Sequence, residues 1–347
     1  MKQSVILNVS DLQKFCSKAK YVVPKNPTLP ILSYILFKEG KMSATDLETA
    51  VVMQVNIDEN FEGTLEFSDV VKLLPLLKGG LIDLSIEVED TEEGKKFHAT
   101  LSTKIGDFKS EAADPDFFPR IHDTGDDAGT LYAAEVPLIR KALNYASTDY
   151  QRPVLSQIRL DKKHVVATDT MAMCYYPVIT DTPYNLTIAK EVVKLLDEVD
   201  YNVNKTKYNV CLFDGHFTII YRIELDEYPN WERAIPLDSS SVVTVKAKDL
   251  AEVLKASLLV IDKKGCFHVN SKPSEGAMVF SCKNENKTFE RAINTVGAGD
   301  PIEIGIAYRY LNRLVQTEKT DEFDLSFVDP STCIAINDNV LIFPTIF

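Results

Sequence analysis

The stretch RPVLSQIRLDKKHVVATDTMAMC at residues 152–174 repeats a phrase found earlier in the chain, LPILSYILFKEGKMSATDLETAV at residues 29–51. At an offset of 123 residues, the segments 29–49 and 152–172 are identical at 7 of 21 positions. A second pair, DVVKLL at 69–74 and EVVKLL at 191–196, matches at an offset of 122. Two matches at nearly one offset indicate a duplication with the size of a small domain, not of a solenoid repeat.

The chain has room for a third copy beyond about residue 241. There, EIGIAYRYLNRLV at 303–315 follows the plan of LTIAKEVVKLL at 186–196, with apolar residues at corresponding positions. We therefore predict three domains of similar fold, at residues 1–126, 127–240 and 241–347.

Each copy predicts a strand, an amphipathic helix, several β-branched strands, a second helix and a closing hairpin. In the first helix the apolar residues Leu12, Phe15, Cys16 and Ala19 recur at helical spacing, and Ser10 or Asp11 is the expected N-cap. Pro75 is expected to end the second helix near Leu74. Helices among mainly antiparallel strands define an α+β fold. The predicted helical segments are 10–20, 68–78, 134–144, 188–198, 247–255 and 306–318.

Composition indicates an ordinary globular protein, with 45% hydrophobic and 26% charged residues. The N-terminal sequence MKQSVILNVSDLQKF lacks the apolar core of a signal peptide, which predicts a cytoplasmic location. Six cysteines without any CxxC pair predict reduced thiols and no metal site.

No catalytic or cofactor site is predicted. Thr and Asp in the two ATD phrases are good at closing turns through side-chain hydrogen bonds. The alternative is an aspartyl hydrolase that uses Asp46 and Asp169, but neither Asp has the Thr-Gly sequence which that geometry needs. DTG occurs once, at 123–125, inside HDTGDDAGT, which is typical of a linker. The five histidines, among them His122, stand alone.

The net charge of −13 argues against nucleic acid binding unless the charge is unevenly distributed. The six predicted helical segments carry 13 Lys and Arg against 9 Asp and Glu, so they are basic while the rest of the chain is strongly acidic. If their polar faces share one surface, that surface attracts phosphate. The basic residues assigned to it are Lys14, Lys18, Lys72, Arg140, Lys141, Lys194, Arg309 and Arg313.

Several pieces of the chain occur in the order and spacing of the bacterial DNA sliding clamps, the beta subunits of DNA polymerase III. They are PTLPILSYILF, ATDLE, DFFPRI, RPVLSQIRL, VVATD, LDEYPNWERAIP and NVLIFPTIF. The resemblance covers nearly the whole chain. It implies a non-enzymatic processivity factor without cofactors: a homodimeric ring of three repeated clamp domains per chain, with helices lining the interior and antiparallel sheets outside. The implied partners are double-stranded DNA, the replicative DNA polymerase and the clamp loader, with no membrane.

The resemblance also implies a hydrophobic cleft that binds a short partner peptide between domains 2 and 3. Carried over by position, its residues are Leu155, Thr168, Thr170, Met171, Ala172, Met173, Pro229, Arg233, Ala234, Leu341, Phe343, Pro344 and Thr345. Such a groove suits an extended peptide that carries Leu or Phe.

This chain departs from the family at both of its functional surfaces. TMAM at 170–173 replaces a basic Gly-His-Arg-Leu, and FPT at 343–345 replaces Met-Pro-Met, as in a divergent bacterial lineage or a phage. Loop positions that touch DNA in the family are also changed, to Asn26, Pro153 and Val154. The nearby Lys25, Tyr150 and Arg152 are the expected substitutes. A clamp-like scaffold that no longer encircles DNA is therefore a further alternative.

Overall fold

The computed structural model describes residues 2–92, 94–121, 125–149, 151–180, 185–224 and 226–345. Two compact units divide the chain: Met1–Ala133 with Glu191–Glu224, and Ala134–Lys190 with Leu225–Phe347. This division places part of the predicted second domain in each unit. The domain boundaries after residues 126 and 240 therefore stay predictions. DTG at 123–125, His122 and Tyr150 lie wholly or partly outside the described residues.

The order of elements repeats three times along the described chain, which confirms the α+β fold of repeated domains. In the first copy the elements are β1 (Lys2–Asn8), α1 (Val9–Ala19), β2 (Tyr34–Lys38), β3 (Lys41–Thr45), β4 (Thr49–Gln54), β5 (Gly63–Glu66), α2 (Phe67–Leu73), β6 (Leu81–Thr91), β7 (Gly94–Thr103) and β8 (Gly106–Ala112).

The second copy has the same strands but a shorter second helical element. It contains β9 (Asp126–Leu131), α3 (Val136–Ala142), β10 (Gln157–Leu160), β11 (His164–Thr168), β12 (Ala172–Pro177), β13 (Leu186–Ala189), a 3-10 turn (Val192–Lys194), β14 (Tyr201–Lys205), β15 (Asn209–Phe213) and β16 (Phe217–Arg222).

The third copy restores both helices. It contains β17 (Ser241–Lys246), α4 (Ala247–Ser257), β18 (Cys266–Lys272), β19 (Ala277–Lys283), β20 (Thr288–Gly299), β21 (Ile302–Ala307), α5 (Tyr308–Thr317), β22 (Glu322–Phe327), β23 (Ile334–Ile336) and β24 (Val340–Ile342).

Every copy builds two four-stranded antiparallel sheets in one pattern. In the first copy these are β1-β6-β7-β8 and β5-β2-β3-β4, and the other two copies repeat both orders with their own strands. Successive copies then join by one rule: the fourth strand of a copy pairs with the eighth strand of the next. Thus β4 pairs antiparallel with β16, and β12 with β24. The third copy also pairs β17 with the end of β20.

The local predictions for the first helix are confirmed except for its cap. Leu12, Phe15, Cys16 and Ala19 are all buried in α1. The predicted cap, Ser10 or Asp11, is wrong: Asn8 caps the helix, and its side chain accepts from the amide of Ser10 at 2.9 Å. Asn is among the preferred caps, and this one lies at the end of β1, so the helix begins a residue earlier than predicted.

The helix predicted at 188–198 is wrong, because residues 186–189 form β13 and only the 3-10 turn of Val192–Lys194 follows. One amide shows the physical reason. Asp197 donates its N–H to the hydroxyl of Tyr201 at 2.7 Å, although a continuing helix would need that amide for the carbonyl of residue 193. In the first copy, α2 ends at Leu73 as predicted, and the 3-10 turn Leu74–Leu76, which contains Pro75, follows it.

The linker prediction for 122–130 is also wrong over its second half. Residues Asp126–Leu131 form β9, which pairs with β14. The Gly and Asp residues that suggested a linker are accommodated in this strand beside a shift in register between Val203 and Asn204.

Candidate functional site

The ATD phrase of the second copy closes the turn between β11 and β12. Thr168 donates its hydroxyl to the carbonyl of Ala172 at 2.9 Å, and the Asp169 carboxylate accepts the amides of Met171 and Ala172 at 3.0 and 2.9 Å. The backbone of Thr170 lies in the left-handed region with φ 79°. This hydrogen bonding presents residues 170 and 171 at the tip of the turn.

The first copy makes the same turn with the same atoms. Thr45 donates to the carbonyl of Thr49 at 2.9 Å, the Asp46 carboxylate accepts the amides of Glu48 and Thr49, and Leu47 has φ 82°. Each Asp is therefore used by its own turn, and the carboxylate of Asp169 also pairs with Arg313 at 2.9 Å. These are the contacts of turn-forming residues, which argues against the aspartyl hydrolase alternative.

The C-terminal segment follows β24 past the tip of this turn. Phe343 donates its N–H to the carbonyl of Met171, and Thr345 donates to the carbonyl of Gly305 in β21, both at 2.9 Å. The segment thereby bounds a groove of about 620 Å³ within the second unit. The described residues that line the groove are Thr170, Met171, His268, Glu303, Ile304, Gly305, Pro330, Ser331, Phe343, Pro344 and Thr345.

A buried apolar cluster lies beside this groove. Its aromatic part stacks Tyr175 on Trp231 with ring centres 5.8 Å apart, and His164 meets the Trp231 ring edge-on at 5.0 Å. Phe343 is half-buried, packs on the cluster and also lines the groove. The fully buried members are Val166, Met173, Tyr175, Trp231, Cys333, Ala335 and Leu341.

The structure divides the thirteen predicted cleft residues into three groups. Five line the groove: Thr170, Met171, Phe343, Pro344 and Thr345. Met173 and Leu341 are buried in the neighbouring cluster, and Ala234 packs against it. The remaining five are not among the described residues that line the groove. Three of them are buried, namely Leu155, Thr168 and Ala172, and two are exposed, namely Pro229 and Arg233.

The sequence prediction missed the wall of the groove that β18, β21 and the loop at 330–331 form. His268 on β18, Glu303 to Gly305 on β21, and Pro330 with Ser331 contribute this wall. Trp231 was also missed, although it is the only tryptophan of the chain and lies inside one of the matched pieces, LDEYPNWERAIP. No local pattern marks the groove residues, because β21 reaches the groove only through sheet pairing distant in sequence.

Three predicted DNA-facing residues form ion pairs with carboxylates of the same chain. Lys18 is buried, donates to the carbonyl of Leu195 at 2.5 Å and pairs with Asp197 at 2.7 Å. Lys141 pairs with Glu318 at 2.5 Å and lies 4.3 Å from the ring centre of Tyr176. Arg313 pairs with Asp169, so Lys18, Lys141 and Arg313 all make internal contacts, and their assignment to a DNA-facing surface stays a prediction.

The other predicted basic residues have exposed side chains. Lys72 pairs with its helix neighbour Asp69 at 3.6 Å, and because both groups are largely exposed this is a weak contact. Arg309 lies over the ring of Tyr310 and donates to its hydroxyl. The exposed set is Lys14, Lys25, Lys72, Arg140, Arg152, Lys194 and Arg309.

Metal and membrane chemistry find no support in the described residues. Among them, no group of three or more His, Cys, Asp and Glu side chains could hold a metal ion. Within the same part of the chain, no helix is both long and apolar enough to span a membrane.

Comparison with known proteins shows similarity along nearly the whole chain. The beta sliding clamp of Vibrio cholerae is 25% identical over 341 residues, covering 90% of this chain and 89% of its own, and that of Pseudomonas putida is 20% identical over 340 residues, covering 91% of each. No protein-family model matches the chain.

Solved structures are similar over the full fold. The DNA polymerase sliding clamp of Caulobacter crescentus has a TM-score of 0.86 at 18% identity, covering 99% of this chain and all of its own. The DNA polymerase III beta subunit of Thermotoga maritima has a TM-score of 0.84 at 20% identity, covering all of both chains.

Proposed function

Because this chain is a divergent relative of the bacterial beta sliding clamps, we propose that it is a DNA polymerase processivity factor. Two chains close a ring around duplex DNA in the cytoplasm, slide along it and hold the replicative polymerase through a peptide in the groove. The protein performs no catalysis in this role. The clamp loader is its second partner.

The rule that joins successive copies carries the proposal of a ring. Because the fourth strand of each copy pairs with the eighth strand of the next, the third copy needs an eighth strand to complete the series. Among the described residues, β8 pairs only with β7, and residues 288–294 of β20 pair only with β19. These are the two matching strands left over, so β20 of one chain pairs with β8 of a second, and a two-fold axis closes the ring.

Apolar surface accompanies both free edges. Beside β8 is a pocket of about 450 Å³ whose lining includes Leu76 and Phe108, both exposed. Near the start of β20, the carbonyls of Leu259 and Val260 accept bonds from Lys287 and Asn284. Leu259 is 76% exposed there, and in the proposed pairing it contacts the partner's pocket. Free strand edges beside apolar residues are otherwise an aggregation hazard.

Sedimentation equilibrium tests the ring. We expect a mass near twice the 38.9 kDa of one chain at micromolar concentration, and a mass near one chain for Leu259→Asp, since this change removes apolar contact area from the interface and places a carboxylate there. The matched control is Leu237→Asp, because Leu237 is 97% exposed and belongs to neither β8 nor β20. A native protein with the mass of one chain contradicts the proposal.

The exposed cations supply the contact with DNA. Topology retains the protein on DNA, so a mildly basic lining suffices, and phosphate contacts that ignore sequence permit sliding. The acidic remainder of the chain keeps the outer wall away from the duplex.

A scaffold that does not encircle DNA is the second candidate, favoured by the three cations that internal contacts neutralise. Charge reversal at Lys14, Lys25 and Lys194 separates the two, because these side chains are exposed and, unlike Lys18, are not buried in an ion pair. A clamp loses loading and processive synthesis in this variant, whereas a scaffold retains partner binding and is unaffected in its other functions.

A further inference from the structure

The groove of the second unit is mainly apolar, but its lining includes a carboxylate. Among its described lining residues there is no Lys or Arg, and Glu303 is the one carboxylate. Arg313, which contacts the adjoining turn, is paired with Asp169. The groove therefore presents apolar surface next to a carboxylate, without a Lys or Arg among its described lining residues.

Glu303 is held in a fixed position while remaining open to solvent. Asn270 donates its side-chain N–H to one carboxylate oxygen at 2.7 Å, and the imidazole of His268 lies 3.6 Å from the other. The side chain nevertheless remains 63% exposed. A carboxylate oriented by a neutral amide keeps its full charge and loses little freedom when it binds a cation.

A second carboxylate adjoins the groove at the loop that carries Pro330 and Ser331. Asp329 accepts hydrogen bonds from the side chains of Ser331 and Thr332 and from their amides. These bonds hold the pKa of Asp329 well below its usual range, so it is ionised at neutral pH. Asp329 is not among the described lining residues, so Glu303 is the carboxylate that meets a peptide bound in the groove.

We infer that the groove selects a peptide with a Lys or Arg side chain flanking its apolar anchors, with the cation beside Glu303. This inference rests on the proposed function, since it names the chemistry of the partner that the groove takes. The apolar anchors lie against Met171, Ile304 and Phe343, and the charge decides between otherwise similar peptides.

Fluorescence anisotropy with synthetic peptides tests the selection on the full-length protein. The labelled peptides share the core Leu-Ser-Leu-Phe and differ at both flanking positions, which are Lys, Gln or Glu. Exposed charge pairs predict that the Lys peptide binds about fivefold more tightly than the Glu peptide at low salt, with Gln between them. The difference shrinks in 0.5 M NaCl, because salt screens exposed charges.

Three variants locate the effect. Glu303→Gln keeps an acceptor for Asn270 and should abolish the preference for Lys while the Gln peptide binds as before. Glu303→Asp should retain part of the preference. The control Glu322→Gln removes an exposed carboxylate of β22 outside the groove and should change nothing.

The possible failures are distinguishable. If no peptide of the set binds, the proposed function of the groove is contradicted together with the inference. If the Gln peptide binds but Lys and Glu peptides bind equally, or if the Lys preference survives Glu303→Gln, the inference alone is overturned.

Discussion

The junctions within the two units use one backbone and different side chains. In the first unit, Arg222 donates its N–H to the carbonyl of Glu48, and in the second, Phe343 donates to that of Met171, both at 2.9 Å. At the first junction the two side chains form an exposed ion pair at 3.5 Å, while at the second they are apolar and line the groove. The same backbone hydrogen bond builds both junctions, and under the proposed function these two side chains decide whether a junction accepts a peptide.

The sizes of the two cavities agree with this division. The first junction leaves about 140 Å³ beside Glu48 and Arg120, whereas the groove of the second has about 620 Å³. Ala50 pairs with Ile220 at the first junction, at the positions where Met173 pairs with Leu341 at the second. The first junction thus serves as an internal control for the second.

Exchanging the side chains gives the largest expected effect. Met171→Glu combined with Phe343→Arg should weaken binding of the Leu-Ser-Leu-Phe peptides by about 30-fold or more, the loss typical of a binding hot spot. The change is measured by fluorescence anisotropy. The reciprocal exchange, Glu48→Met with Arg222→Phe, should leave the affinity unchanged, and unaltered binding by the first variant would refute the assignment of the groove.

Lys18 and Lys141 occupy equivalent positions 123 residues apart. Each forms an ion pair with a carboxylate of the next copy, Asp197 for Lys18 and Glu318 for Lys141. Lys18→Met and Lys141→Met should each lower the free energy of unfolding by about 2 kcal/mol, because a charged hydrogen bond is lost and its acceptor is left behind. Urea denaturation measures the loss. Lys14→Met, on the exposed face of α1, should stay within about 0.5 kcal/mol. Equal effects at positions 14 and 18 would contradict the structural role.

The two turn aspartates should respond differently to removal of their charge. Asp169→Asn keeps the acceptor for two amides but loses the pairing with Arg313, so it should cost about 1 kcal/mol of stability. Asp46→Asn should be neutral or slightly stabilising at pH 7. The third copy supports this, because Asn284 accepts the amides of Asn286 and Lys287 in the corresponding turn.

The pH dependence of Asp46 follows from its burial, which raises its pKa. Between the pKa of the unfolded chain and the higher folded value, the folded state binds more protons, so this group's contribution falls as pH rises through that window. The advantage of Asp46→Asn should therefore be larger at pH 7 than at pH 4 in thermal unfolding. The opposite trend would show that hydrogen bonds dominate over burial at this site.

The smallest difference is expected between the buried thiols of the junctions, Cys211 and Cys333. Burial raises the pKa of Cys333 to about 11, so very little thiolate exists at pH 8. Both thiols should react with a disulfide reagent far more slowly than Cys266, which is partly exposed. Rapid labelling of Cys333, identified by mass spectrometry, would indicate that the second junction opens in solution.

Local sequence patterns predicted what local physics decides. The repeat, the buried face of α1 and the end of α2 near Pro75 follow from spacing and backbone restrictions. The corresponding turn of the third copy was not predicted, because Asn284 stands in place of Asp and no residue of ATD is present there. The prediction of a helix at 188–198 was wrong because the hydroxyl of Tyr201 accepts the N–H of Asp197, which a helix would use for its own hydrogen bond.

The site was less predictable than the fold because its contacts join distant segments. Lys18 and Lys141 lie among the polar positions of their helices, so only the carboxylates of another copy reveal that they are not free. Glu303 and His268 carry no pattern of their own, and they reach the groove through the pairing of β18 with β21. The predicted cleft therefore captured the wall at 170–171 and 343–345 and missed the opposite one.

Retention on circular DNA tests the central claim most directly. The protein is loaded by its clamp loader onto a nicked circular plasmid and separated from free protein by gel filtration at a salt concentration that disrupts phosphate contacts. A ring that encircles DNA stays with the circle and is released when a restriction enzyme linearises it. Equal retention on circular and linear DNA, or no retention on either, would contradict the account.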